Sequence, residues 1–254
     1  MNAPSPAERL LMELGIERPQ DIDLEAIASD QGVFITYRQL DGCEARIVGN
    51  EHSALISVNS GSRSTRQRFS VAHELGHWHH HRGKCLFCSA TQIGNPANGP
   101  LDRERQADDF ASDLLLPDFM VRPLLMKMRK VTLAAASEIA DVFNVSRTAV
   151  LLRIVASNRF PVIVVCHQKG GRKWFRRADM VQPWWFPQDA LDAETFAHAI
   201  LLGDASDDVT PRRMPAEAWF SFKGADRHEL LEQSFRLPGD QVLTVLTLPE
   251  EATH

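Results

Sequence analysis

The spacing of apolar residues predicts helices through the first 130 residues, interrupted by one short group of strands. Three short apolar runs bounded by turn residues, at 33–37, 45–48 and 54–58, predict a small antiparallel sheet. Polar caps and glycine stops mark the ends of the earliest helices, with Asp23 as one cap and Gly15 as one stop. The helices predicted in this part of the chain cover residues 5–14, 23–29, 68–81, 101–117 and 119–129.

Residues 132–156 have the pattern of a helix-turn-helix, because Asn144 tolerates a left-handed turn and Ser146 can cap a second helix. One interpretation is DNA contact through Arg147 and Arg153 on that second helix. The other is a helical pair that packs on the rest of the protein or docks a partner. Few basic residues lie on the second helix and DNA affinity depends largely on phosphate contacts, so the second interpretation is favoured.

The chain becomes rich in strands after a boundary near residue 158. The pattern therefore predicts an α+β protein in three parts, at 1–130, 131–158 and 159–254. Aromatic residues at 184–186 could line a ligand pocket, although such residues are more typical of a core. The elements predicted in the last part are strands at 162–167, 173–177, 218–222 and 241–248, with a helix at 189–202.

Composition narrows the classes of function. The 254 residues are 44% hydrophobic and 24% charged, with a net charge of -5, which argues against broad nonspecific binding to DNA. No apolar run approaches the length of a membrane span, and residues 1–6 lack the layout of a secretion signal. The four cysteines show no disulfide framework. These features predict a cytoplasmic protein without a membrane partner.

The run His73-Glu74-Leu75-Gly76-His77 carries the candidate chemistry. Histidines four residues apart lie on one face of a helix, where both imidazoles can bind one zinc ion. Glu74 would then lie beside the metal and could act as a general base. The alternative is a surface helix with histidines that bind nothing.

A catalytic zinc ion usually has three protein ligands, so a further ligand is needed. One known arrangement places a histidine six residues after the second, but Gly83 stands there. Glu104 lies on the apolar side of the next predicted helix, where an unpaired carboxylate is costly and a metal would compensate it. Asp108, one turn later, could accept the second ring N–H of a ligand histidine. The alternative for Glu104 is a carboxylate favoured by the helix dipole.

Four more residues are weaker candidates. Cys85 and Cys88 could form a second metal site together with nearby histidines, or they are ordinary thiols in a loop. The oxyanion of the reaction could be stabilised by Tyr37, which is the only tyrosine, or by His80.

These motifs together resemble the ImmA/IrrE family of metallo-endopeptidases. The resemblance spans residues 23–117 and rests on Arg68-Phe69 before the histidine motif, on Glu104-x-x-Ala107-Asp108-x-Phe110-Ala111, and on Leu114 to Pro117. It implies a zincin-like core, zinc ligands His73, His77 and Glu104, and Glu74 as the catalytic glutamate. It also implies a sensor-like C-terminal domain of the GAF type. Many members have Asn where this chain has Asp108.

The resemblance further implies a substrate class. Characterised members relieve repression by acting on helix-turn-helix repressors during stress responses or the induction of phages and mobile elements. We therefore expect a zinc endopeptidase, with manganese as the alternative ion, whose extended substrate lies against strand 54–58 as a sheet edge. The competing hypothesis is a non-proteolytic regulator that binds DNA or a repressor and uses zinc as a structural brace.

Overall fold

The computed structural model describes residues 3–82 and 102–254, and it confirms the α+β class. The helices of these residues are α1 (Pro6–Glu13), α2 (Leu24–Asp30), α3 (Ser64–His81), α4 (Asp102–Leu115), α5 (Asp118–Lys127), α6 (Leu133–Phe143), α7 (Arg147–Ala156) and α8 (Phe196–Leu202). The strands are β1 (Val33–Arg38), β2 (Ala45–Gly49), β3 (Ala54–Asn59), β4 (Val162–Gln168), β5 (Gly171–Arg177), β6 (Asp208–Pro215), β7 (Glu229–Leu237) and β8 (Gln241–Thr247).

Local signals explain where the first helices begin and end. The Ser5 hydroxyl accepts from the backbone of Glu8, whose carboxylate accepts from the backbone of Ser5, so both ends of a capping box are present. The Asp23 carboxylate accepts from the backbone of Ala26 and caps α2. Gly15 follows α1 with φ +68°, a conformation in which a side chain would be strained. The predicted helix starts are therefore confirmed.

The N-terminal sheet is mixed, so the prediction of an antiparallel sheet is wrong for one of its two pairings. Strands β2 and β3 are antiparallel, whereas β1 and β3 are parallel. The β2–β3 hairpin is a local turn in which Asn50 accepts from the backbones of His52 and Ser53. The pairing of β1 with β3 joins segments distant in sequence, and apolar spacing contains no information about its direction.

The strand order β1-β3-β2 also overturns the expectation that residues 54–58 form a sheet edge. Strand β3 is central and its backbone is paired on both sides. The edges of this sheet are β1 and β2. Helix α3 packs against β2 and β3, so β2 is an edge strand in contact with this helix.

The predicted helix-turn-helix segment forms two helices. Asn144 adopts φ +51° between α6 and α7, as its residue type predicts. Helix α7 buries Val150, Leu151, Ile154 and Val155 and contacts β4 and β5. The guanidinium of Arg147 lies 4.1 Å from the centre of the Phe235 ring. The buried face of α7 therefore packs on the C-terminal sheet, and Arg147 contacts the Phe235 ring.

The C-terminal sheet is antiparallel, with strand order β5-β4-β8-β7-β6. The predicted strand at 218–222 is wrong, because a short 3-10 turn at Ala216–Ala218 and buried aromatic residues occupy this region. The predicted helix at 189–202 is shorter and begins at Phe196. Strands β6 and β7 were not predicted. Charged and amide residues interrupt β7, so its apolar pattern is weak although Glu232 and Gln233 are buried.

The chain divides into two compact units, one of residues 1–124 and 140–146 and the other of residues 125–139 and 147–254. The three-part division and the GAF type of the C-terminal part stay predictions. Within the described residues, no helix has the length and apolar character needed to cross a membrane. In the second unit, Trp185 belongs to the core, whereas Trp184 and Phe186 on either side of it are 54% and 51% exposed.

Candidate metal centre

The centre of α3 is buried although it contains several polar residues. Ser70, His73 and Glu74 are completely buried, and His77 is 1% exposed. Positions separated by three and four residues lie on one side of a helix, so these side chains share a face. Burying so many polar groups is costly unless they find partners, which makes this face the candidate site.

Gly76 allows α4 to approach this helix closely. A Cβ atom added at Gly76 would lie 2.8 Å from the Cα atom of Ala107 and 2.9 Å from its carbonyl oxygen. Real Cβ atoms essentially never make contacts this short. The helices therefore touch backbone to backbone at this point, and α4 brings Glu104 and Asp108 to the imidazoles of α3.

The structure brings together the three residues predicted as metal ligands. Ligand atoms of His73, His77 and Glu104 all lie within 4.8 Å of one another. The Nε2 atoms of the two histidines are 3.1 Å apart. One Glu104 oxygen lies 3.4 Å from Nε2 of His73, and the other lies 3.4 Å from Nε2 of His77.

These separations fit a shared cation. With zinc–ligand bonds of about 2.0–2.1 Å, two ligand atoms of a regular tetrahedron lie about 3.3–3.4 Å apart. Charge-assisted hydrogen bonds between a ring nitrogen and a carboxylate would be shorter, at about 2.7–2.9 Å. The cluster is therefore compatible with a metal site and is spaced too widely for strong direct ion pairs.

Asp108 is the partner of His73 on the side away from the cluster. Its Oδ1 atom lies 2.9 Å from Nδ1 of His73. A carboxylate can only accept, so Nδ1 carries a proton and donates it to Asp108, which leaves Nε2 as the ring nitrogen directed at the cluster. Burial lowers the pKa of His73, but the hydrogen bonds to Asp108 and Glu104 outweigh it and raise the pKa to about 9.

Glu74 is completely buried, and neither of its carboxylate oxygens has a hydrogen-bond partner among residues 3–82 and 102–254. Burial raises the pKa of its carboxyl group to about 7; the charge of His73 opposes this rise and that of Glu104 adds to it. A carboxyl group of this kind can accept and release a proton near neutral pH. Both of its oxygens therefore have open acceptor sites among the described residues.

The histidines at the end of α3 were all candidates in the sequence and His80 was preferred, but His81 is the one that is buried beside His77. His81 is 8% exposed, and its ring centre lies 5.6 Å from that of His77. Burial lowers the pKa of His77, and the charges of His73 and His81 also lower it. The spacing of four residues after His77 was the available signal, because it repeats the spacing of His73 and His77.

Tyr37 and His80, two of the weaker candidates, do not join the cluster of His73, His77 and Glu104. The hydroxyl of Tyr37 donates to Glu25 at 2.6 Å, and burial, followed by this hydrogen bond, raises its pKa to about 12. His80 is exposed, and its ring packs against the rings of His79 and Phe110. An oxyanion role for either residue stays a prediction that this geometry does not support. Cys85 and Cys88 lie outside the described residues.

Comparisons with known proteins agree with this architecture. Among similar solved structures is a protein named Mycobacterium tuberculosis transcriptional regulator, which is 16% identical. The alignment covers 97% of this chain and 87% of that chain with a TM-score of 0.59, and at this identity it shows a shared fold alone. No curated protein matches the sequence.

A family comparison is more specific than the structural one. The sequence profile of a peptidase family, described as the IrrE N-terminal-like domain, matches residues 28–155, which is half of the chain. The matched region contains the histidine motif, Glu104 and Asp108. This protein therefore belongs to the peptidase family of the IrrE N-terminal-like domain.

Proposed function

We propose that this protein is an intracellular zinc-dependent endopeptidase that cleaves a helix-turn-helix repressor and thereby relieves repression. The observation that carries the proposal is the convergence of His73, His77 and Glu104 at 3.1–3.4 Å, together with the buried carboxylate of Glu74, which has no hydrogen-bond partner among the described residues. Membership of a peptidase family supports the reaction type.

Zinc is the ion we propose, because two imidazoles and one carboxylate are a common ligand set of catalytic zinc. His73, His77 and Glu104 would hold it. When bound, the ion would supply Lewis-acid activation of the scissile carbonyl and of water near neutral pH.

Glu74 is proposed as the proton carrier. Its carboxylate accepts a proton from water as the water oxygen forms a bond to the carbonyl carbon of the substrate. It then gives this proton to the amide nitrogen as the carbon–nitrogen bond breaks, so the products are a new carboxylate and a new amine. Burial raises the pKa of this carboxyl group, which favours its acceptance of a proton in the first step.

Asp108 is proposed to orient His73. Its hydrogen bond at 2.9 Å keeps the Nδ1 proton in place and directs the Nε2 lone pair toward Glu104 and His77. Partners of this kind set both the orientation and the basicity of a ligand histidine.

A peptide substrate would lie in extended form against β2. This strand is an edge of the N-terminal sheet and packs against α3, so its free backbone groups can pair with a substrate segment. The nature of the substrate rests on the resemblance to the ImmA/IrrE family. The name of the similar solved structure, a transcriptional regulator, agrees with a role in gene control.

The test combines metal analysis with cleavage. Purified protein is loaded with zinc and incubated with each helix-turn-helix repressor of the same genome, and products are identified by mass spectrometry. We expect the wild type to cleave one repressor at a single bond. Glu74→Gln should bind one zinc ion as the wild type does and lose about 10²- to 10⁴-fold in rate, the usual contribution of a general base.

Glu251→Gln is the matched control, because this glutamate is exposed in the second unit. It should cleave at the wild-type rate. Cleavage by Glu74→Gln at the wild-type rate would refute the mechanism. Relief of repression that persists in cells carrying Glu74→Gln would refute proteolysis as the cause.

A further inference from the structure

Ser70 is, like Glu74, a buried polar residue of α3 whose side chain has no hydrogen-bond partner within residues 3–82 and 102–254. It is completely buried, and its hydroxyl oxygen makes no hydrogen bond to any described residue. A helical serine normally resolves this problem by bonding to the carbonyl four residues earlier, but Ser70 makes no such bond. Its hydroxyl group therefore forms no hydrogen bond that stabilises the fold within the described parts of the chain.

The nearest turn of the helix contains the complementary group. Ser70 and Glu74 are four residues apart, so their Cβ atoms lie about 5–6 Å from each other on one face of α3. Helical side chains lean toward the N-terminus of their helix. We therefore expect the carboxylate of Glu74 to reach back toward the turn that contains Ser70.

Among residues 70–77 of α3, Glu74 is the residue whose carboxylate oxygens lack a hydrogen-bond partner in the described structure. Val71 and Ala72 are apolar and buried. His73 already donates through Nδ1 to Asp108, and its Nε2 atom faces Glu104. Glu74 has two oxygens with open acceptor sites, and a hydroxyl group has one proton to donate.

We propose that Ser70 is a positioning residue for Glu74. Its hydroxyl donates to one carboxylate oxygen, either directly after rotation about χ1 or through one water molecule, and leaves the other oxygen to carry the proton. The inference rests on the proposed function, because Glu74 needs a fixed orientation only if it acts as the base. Ser70 keeps its own proton throughout the reaction and does not touch the substrate.

This role matters because the glutamate side chain rotates about several bonds. The described residues provide no other hydrogen bond that would hold its carboxylate. A base that samples several orientations is correctly placed for only part of the time, which lowers kcat and leaves substrate binding nearly unchanged.

The experiment compares Ser70→Val with Ser70→Thr. These side chains have nearly the same shape, so both add the same methyl group to the packed helix face, but only threonine retains the hydroxyl. We expect Ser70→Val to lower kcat about tenfold or more, with KM within about twofold of the wild type. Ser70→Thr should retain most of the wild-type kcat. If the methyl group added in Ser70→Val and Ser70→Thr prevents folding, Ser70→Ala, which adds no atoms, is used instead of these two variants.

A crystal structure of the zinc-loaded wild type gives a readout that does not depend on activity. We expect the Ser70 hydroxyl within about 3.2 Å of a Glu74 oxygen, or bound to a water molecule that also bonds Glu74. A hydroxyl bonded to any other group would overturn the proposal. Equal kcat values for Ser70→Val, Ser70→Thr and the wild type would do the same.

The two proposals fail in different ways. If the wild type cleaves no repressor, the proposed function fails and the crystal structure alone decides the role of Ser70. If the wild type cleaves and Glu74→Gln does not, the proposed function holds. The comparison of Ser70→Val with Ser70→Thr then decides the role of Ser70.

Discussion

Gly76→Ala should damage the metal centre, although this residue is not one of the proposed ligands. The added Cβ atom would lie 2.8 Å from the Cα atom of Ala107, 2.9 Å from its carbonyl oxygen and 3.1 Å from Cβ of Phe110. The first two are backbone atoms, which cannot move aside as the end of a flexible side chain can. Helix α4 must therefore shift, and Glu104 and Asp108 shift with it.

The size of the effect follows from two opposing contributions. Overpacking of this kind destabilises a protein by about 1–3 kcal/mol, and a clash with backbone belongs near the upper end. Alanine favours a helix over glycine by about 1 kcal/mol. The net loss of stability should be about 2 kcal/mol. Ordinary contact begins at 3.4 Å, so α4 must retreat by about 0.6 Å from the 2.8 Å contact.

That displacement exceeds the tolerance of a metal site, which is about 0.2 Å in ligand distance. We therefore expect zinc affinity to fall about ten- to a hundredfold, a loss typical when the support of a ligand is disturbed. Zinc affinity is measured by competition with a chromophoric chelator, and stability by the urea midpoint of the zinc-free protein followed by circular dichroism.

Gly170→Ala is the matched control, because a Cβ atom there meets nothing within 4 Å. Its zinc affinity and stability should equal or slightly exceed those of the wild type. If Gly76→Ala raised the urea midpoint, as helix propensity alone requires, and kept wild-type zinc affinity, the close crossing of α3 and α4 would not be what positions Glu104.

Two further substitutions test other parts of the structure. Asp108→Ala removes the acceptor for His73 and should weaken zinc binding about 10- to 100-fold, whereas Asp108→Asn keeps an acceptor oxygen and should weaken it less. Asp109→Ala, at an exposed carboxylate on the same helix, serves as the control, and an equal loss there would contradict the role of Asp108. Gln233→Leu leaves the backbone N–H of Leu133 without its buried acceptor, which lies at 2.9 Å, and should destabilise the protein by about 1–3 kcal/mol in urea unfolding; no loss would mean that water satisfies this group.

Much of the candidate site could be predicted because two of its proposed ligands are only four residues apart in the sequence. The spacing of His73 and His77 places both rings on one face of any helix, whatever the rest of the fold. Glu104 required a further inference. It was placed on the apolar side of a second predicted helix, where its carboxylate would need a partner. The structure brings Glu104 to 3.4 Å from both histidines, as the periodicity of helices and the need to compensate buried charges led us to expect, and its role as a ligand stays a prediction.

Strand order could not be predicted, because it depends on contacts between segments far apart in the chain. The run 54–58 was correctly identified as a strand. It lies between β1 and β2, so these two strands and not β3 form the edges of the sheet. The C-terminal sheet shows the same limit. The buried Glu232 carboxylate accepts from the backbones of Phe196 and Ala197 at the start of α8. The alternation of apolar and polar residues in the sequence does not reveal such partners.

The sequence by itself determined the helices, the polar face of α3 and the identity of the metal-binding candidates, because each depends on spacing within one or two helical turns. Only the tertiary structure decided which groups meet across elements. It joined α4 to α3 at Gly76, buried Ser70 and Glu74 without a hydrogen-bond partner in the part of the chain that the structure describes, and placed β3 inside its sheet. The physical reason is that burial and close approach are properties of the packed chain, whereas periodicity is a property of its local backbone.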